Sequence, residues 1–174
     1  LFAPMNISEK IDKLKFDEKE VQMITIKEIA HNYAVSMNKD KQLDYVKHLN
    51  SNSDKVGLLL ISDWHYGIEI DNFYNTYNVD IAKKRIANLR DQVIRICQND
   101  SIDNLIVLNL GDMIAGNIHL PLRLNSRKDV ISQIMEVSEL IAEFLSDLNC
   151  YFNIDYFSVI DNHSRIDPNK KESI

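Results

Sequence analysis

The sequence predicts an α/β domain with a parallel βαβαβ core over residues 54–174, preceded by a helical extension and linker over residues 1–53. Three strand-length apolar runs, at residues 56–61, 104–110 and 156–160, alternate with two longer stretches of helical periodicity. Strands alternating with helices of that length imply right-handed crossovers and a parallel sheet. Each apolar run also ends in a small group of polar residues, and those three ends share one edge of such a sheet.

The first 50 residues are charged and helical in pattern. Ile7, Ile11 and Leu14 keep one helical spacing, Ile26, Ile29, Ala30 and Tyr33 another, and Leu43, Val46 and Leu49 a third. Asn50-Ser51-Asn52-Ser53 follows as a linker. We expect an accessory helical segment, with a partner-binding helical arm as the alternative. His31 and His48 have no ligand-like neighbours and are expected on the surface. The chain opens on Leu1 rather than Met, so a cut from a longer protein is expected.

The first strand runs into Ser62-Asp63-Trp64-His65-Tyr66-Gly67. Side chains of an extended segment alternate, so Asp63 and His65 should face one way and Trp64 the other. A polar, aromatic loop extends to Asn78. The stripe Ala82, Ile86, Leu89, Val93 and Ile96 then marks a helix burying one face. Residues 104–110 are too uniformly apolar for a half-exposed strand and are expected to be buried on both faces. Gly111-Asp112 ends that strand. A second stripe follows at Val130, Ile134, Val137, Ile141, Phe144 and Leu148, and Ser126 with Asp129 is expected to form a capping box. The third strand leads into Asp161-Asn162-His163.

At 174 residues the chain makes one domain, able to bury roughly two-thirds of its extended-chain surface. A net charge of -6 argues against a broad electrostatic footprint for nucleic acid or an anionic membrane, leaving room for a local basic groove. Cys97 and Cys150 fall inside apolar patterns and are expected as buried thiols in a reducing compartment. No apolar run reaches membrane-spanning length and no signal peptide is visible, so no membrane partner is expected. The cytoplasm, or that of an infected host, is the expected location.

Asp63, His65, Asp112, Asn162 and His163 therefore follow three different strands, always at the carboxyl end. A lone D-x-H is a weak signal, but carboxylate and imidazole at a strand mouth form half a coordination shell for a divalent ion. Three coincidences of residue type and position outweigh a reading of the aspartates as turn-formers. His119 lies in the loop after the second strand, within reach of substrate or simply exposed. Tyr66, Tyr74 and Tyr77 suit base stacking, though an aromatic loop packed on its own domain is favoured. Arg123, Arg127 and Lys128 are able to steer an anionic substrate, or are an ordinary solvated helix start.

In these motifs the chain resembles the calcineurin-like metallophosphoesterases, most closely phage- and prophage-encoded members. Their pattern of D-x-H, G-D and G-N-H, each after a strand, is matched by Asp63-Trp64-His65, Gly111-Asp112 and Asn162-His163 over about residues 56–166. The resemblance implies half of an α/β sandwich and two divalent metal ions, Mn²⁺ first, with Zn²⁺ or Fe as alternatives. It implies that Asp63 and His65 hold one ion, Asn162 the second, and that Asp112 bridges them. His163 would act just outside the metal shell as the catalytic proton donor, and Arg165 would bind substrate phosphate. The substrate class implied is a phosphate ester, with a phosphodiester of DNA or RNA favoured. The alternatives are a small-nucleotide or phosphoprotein phosphatase, and a non-catalytic assembly module. Asp161 departs from the family's glycine, and Ser164 replaces an acid that orients the histidine in many members. The chain also stops at Ile174 before the family's later histidines, so an incomplete metal shell and self-association through an open sheet edge are expected.

Overall fold

The computed structural model describes residues 53–165 and, upstream of them, Val21, Ile24, Thr25, residues 27–29, His31, Asn32, Val35, Ser36 and Val46. The chain divides into two compact units, Leu1–Gln42 and Leu43–Ile174. In the first, all described residues are helical, His31 is exposed, and the Thr25 hydroxyl donates to the Val21 carbonyl at 2.9 Å. The other helical stretches expected upstream, and His48, lie mostly outside the described residues.

The second unit runs β1 (Val56–Ile61), β2 (Ile70–Asp71), β3 (Thr76–Tyr77), α1 (Val79–Asn99), β4 (Asn104–Asn109), α2 (Leu120–Leu124), α3 (Val130–Asn149) and β5 (Asn153–Ser158). β1, β4 and β5 form one parallel sheet in that order, with Ile61 paired to Asn109 and Asn109 to Ser158 at the carboxyl ends. The parallel βαβαβ core is thus present, with β5 starting three residues before the expected run. β2 and β3 form a separate antiparallel hairpin. Among the described residues no helix is long and apolar enough to cross a membrane.

Each long helix starts on a side-chain cap. The Asn78 side chain accepts from the Ile81 amide at 3.0 Å, and Asp129 accepts from the Ser132 amide at 3.0 Å. Asp129 is therefore the cap of α3 itself, and the expected Ser126 box is absent: the Ser126 hydroxyl donates instead to the Leu122 carbonyl. Ala82, Ile86, Val93 and Cys97 of α1 join Val137, Phe144 and Leu148 of α3 in one core with Ile61, Leu105 and Val107. Cys97 takes the last place in the α1 stripe, and Ile96 is half-exposed. Each buried Val, Leu, Ile or Phe among them contributes roughly 1.5–3 kcal/mol.

The buried residues of β1 and β4 all lie on one face. Strand order 1-4-5 with two right-handed crossovers places both helices on the same side. The opposite face carries Leu58, Leu60, Phe157 and Val159, all more than half exposed. The expectation of strands covered on both faces is corrected here: uniform apolarity reflects what the sheet can pack against, and the described elements cover one side. Cys150 is likewise exposed, at the cap of α3, and the two cysteines are free.

Candidate metal centre

Pairing of β1 and β4 continues past the sheet and brings the first two motifs together. The amides of Asp63, His65 and Tyr66 donate to the carbonyls of Gly111, Asp112 and Met113 at 3.1, 3.0 and 2.9 Å. The backbone is not extended there: Asp63, His65 and Asp112 have φ of 57, 43 and 56°. Left-handed geometry is uncommon for side-chain-bearing residues, and strain of this kind clusters at functional sites. Asp63 and His65 still face together, with Asp63 Oδ1 3.5 Å from His65 Nε2, while Trp64 turns into the core against Phe144. The shared side arises from the left-handed pair rather than from pleat alternation.

The third motif is tied in from β5. The Val159 amide donates to Asn109 O, and Asp161 reaches across to receive the amides of Asp112 at 2.9 Å and Ser164 at 2.7 Å. Burial raises the Asp161 carboxyl, but these hydrogen bonds, with His163 nearby, outweigh it and hold it below the usual range. Asp161 is not in the left-handed region, so it acts as a side-chain clamp rather than as the residue of a strained turn. His163 is 8% exposed, and its Nδ1 lies 2.9 Å from the Ala115 carbonyl. A carbonyl only accepts, so Nδ1 carries the proton and Nε2 faces inward. Ala115 thus orients His163 where Ser164 has no carboxylate to do so.

His65, Asp112 and His163 emerge as a group whose potential ligand atoms all lie within 4.8 Å of one another. His163 Nε2 is 3.9 Å from Asp112 Oδ2, and the His65 and His163 rings are 4.6 Å apart. Asp112 Oδ1 and His65 Nδ1 are buried without a hydrogen-bond partner. A buried carboxylate oxygen with no donor is costly, and a cation is the group that satisfies it. A mixed oxygen and imidazole set suits a divalent ion such as Mn²⁺ or Zn²⁺. The residues present therefore fit a metal.

Asp63 is exposed beside His65, Asn162 is partly buried on the turn between Asp161 and His163, and the Nε of Arg165 is buried without a partner. His119 is drawn in as well: its ring lies 5.2 Å from that of His163. Tyr66 and Tyr77 are packing residues. The Tyr66 hydroxyl donates to Glu136 at 2.6 Å, and that of Tyr77 to the Trp64 carbonyl. Burial first, then Glu136, pushes the Tyr66 phenol well above its ordinary range.

Gln133 escapes the sequence reading. Fully buried, it accepts from the Gly116 amide at 3.0 Å and donates to the Lys128 carbonyl at 2.8 Å. Its Cγ also abuts Gly67, where an added Cβ would lie 2.6 Å away. The side chain thus pins both loops of the site onto α3. Its signal was present: it sits three residues after Val130 and four before Val137, a polar residue on a buried stripe.

Over 124 residues the chain is 27% identical to the SPbeta prophage-derived uncharacterized protein YonJ of Bacillus subtilis (strain 168). The match covers 68% of this chain and 30% of that protein, so the chain spans less than a third of the relative's length. No family model and no solved structure matches the chain.

Proposed function

We propose that this chain carries the site of a divalent-metal-dependent phosphoesterase, acting on a phosphodiester of nucleic acid. The observation that supports this best is the convergence of His65, Asp112 and His163 from three strand ends, with two buried donor atoms left unpartnered. His65 and Asp112, flanked by Asp63 and Asn162, are the residues that would hold metal. A bound divalent ion supplies Lewis acidity and an activated water at neutral pH. His163, its Nδ1 proton engaged by Ala115, presents Nε2 to the substrate, and with Nε2 protonated as well it would donate that second proton to the leaving alkoxide. Arg165, two residues after His163, would bind a phosphoryl oxygen with its guanidinium. The likeness to a prophage-derived protein accords with a phage origin.

The test is hydrolysis of bis-p-nitrophenyl phosphate by the intact protein with Mn²⁺, abolished by chelator. Turnover unaffected by exhaustive chelation would refute the proposal. A second reading concerns assembly. Among the described residues β1 and β5 each have one strand partner, leaving edges open to a second copy. Mass in solution distinguishes a monomer from such an assembly.

A further inference from the structure

The β2–β3 hairpin is tied to the metal centre by both legs and ends in a bare aromatic pair. Its first leg leaves Gly67, with Glu69 donating to the Asn125 carbonyl at 2.8 Å. Its second leg ends in Tyr77, whose hydroxyl holds the carbonyl of Trp64 between Asp63 and His65. At the tip, Asn72 Oδ1 accepts from the amides of Tyr74 and Asn75 at 2.9 and 3.0 Å, which fixes the turn. Phe73 and Tyr74 stand there edge to face, 5.3 Å apart, and are 95% and 92% exposed.

Single exposed apolar residues are ordinary, but two adjacent free rings on a tied polar turn forgo the burial that large aromatic side chains usually find. Tyr66 and Tyr77 of the same loop are packed, so the exposure is confined to the tip. Tyr74 lies three residues from Tyr77, a span of at most about 11 Å, and the Tyr77 hydroxyl in turn meets the Trp64 carbonyl between Asp63 and His65. Lys83, Lys84 and Arg85 follow directly on the exposed side of α1, and Arg85 lies over the Tyr77 ring at 5.3 Å. Nearby Glu69 is neutralised by Arg127 at 2.7 Å, while Asp71 and Asp80 remain as local acids. Free rings with cations at their foot match a single strand, whose bases stack while its phosphates meet positive charge.

We propose that Phe73 and Tyr74 form a stacking platform for the bases of single-stranded nucleic acid whose backbone runs to the centre at Asp112. The platform rests on the phosphodiester reading of that centre, and the two are tested apart. The probe is a fluorescein-labelled single-stranded oligonucleotide, titrated with the intact protein in EDTA and followed by anisotropy. Joint replacement of Phe73→Ala and Tyr74→Ala should weaken binding about 10–100-fold, the range for losing one stacked base or more. Tyr74→Trp should keep the affinity, and its added emission should be quenched on binding. Circular dichroism should be unchanged, since neither side chain is packed.

Wild-type protein that binds no oligonucleotide, or binds a duplex of equal length as tightly, would overturn the platform. So would unchanged affinity in the double variant, including the case in which only its mass in solution changes and the tip is a protein contact. Hydrolysis of bis-p-nitrophenyl phosphate by wild-type protein, an ester with no neighbouring base, reports on the phosphoesterase reading alone.

Discussion

The main-chain amide of Asp112 donates to the Oδ2 of Asp161 at 2.9 Å, joining two motifs 49 residues apart. The contact has a steric counterpart one residue earlier. A Cβ built on Gly111, whose φ is +97°, would lie 2.5 Å from the Cβ of Asp161. Asp161 and Gly111 are therefore a matched pair, and the aspartate's clamp depends on the glycine's missing side chain.

That pairing makes a double-mutant cycle informative. Gly111→Ala should destabilise by about 2–4 kcal/mol, from the clash together with a strained φ. Asp161→Gly should cost about 1–3 kcal/mol, because the Asp112 and Ser164 amides lose a charged acceptor. The double variant should be less destabilised than the sum, since the clash is gone while the strained φ remains. Strict additivity in urea denaturation would show that the two residues do not touch.

Asp112 and His163 are separable by metal content. Asp112→Asn should lose metal and activity together, because it removes the buried charge. His163→Ala should keep most of its metal while losing about 10²–10⁴-fold in rate, as expected for a proton donor. Both are read by metal analysis of dialysed protein beside phosphodiester turnover. A collapse of metal content in the His163 variant would make its Nε2 a ligand, an outcome its place within the 4.8 Å group makes specific.

Glu136 sets an expectation for acid stability. Burial raises its carboxyl, but hydrogen bonds from Lys128 and Tyr66 outweigh it and hold it below the ordinary value. A depressed folded-state value contributes stability above the unfolded value, near pH 4.3, and loses it as the pH falls through the folded one. Glu136→Gln should therefore lower the melting temperature at pH 7, and the gap to wild type should narrow below about pH 4. A gap independent of pH would mean that the carboxylate charge is not what matters.

The two faces of the sheet should respond oppositely to truncation. Leu105 is 2% exposed under the helices, and Leu105→Ala should cost about 2–5 kcal/mol. Leu60 is 55% exposed on the other face, and Leu60→Ser should stay within about 0.5–1 kcal/mol. Chemical denaturation measures both. A large loss at Leu60 would indicate that something covers that face in solution.

Much of the candidate site is legible in the sequence, because strand ends are written as apolar runs stopped by glycine or acid. Asp63, His65, Asp112 and His163 could be placed on one sheet edge from strand order alone, and the parallel βαβαβ core came from the same alternation. The α1 and α3 stripes located the core nearly residue by residue, Cys97 for Ile96 being the chief exchange. These features are local or periodic, and a sequence records periodicity directly.

What only the tertiary structure decided involves groups that meet across the chain. The left-handed backbone at Asp63, His65 and Asp112 depends on two segments hydrogen-bonded side by side beyond the sheet. Asp161 read as a departure from a glycine turn, and became a clamp only once Asp112 lay opposite it. Ala115 orients His163 through a carbonyl, which every residue possesses and no motif can encode. The bare face at Leu58 and Leu60 follows from both crossovers falling on one side of the sheet. An apolar residue declares its preference for burial, but whether a neighbour arrives to bury it is settled by topology.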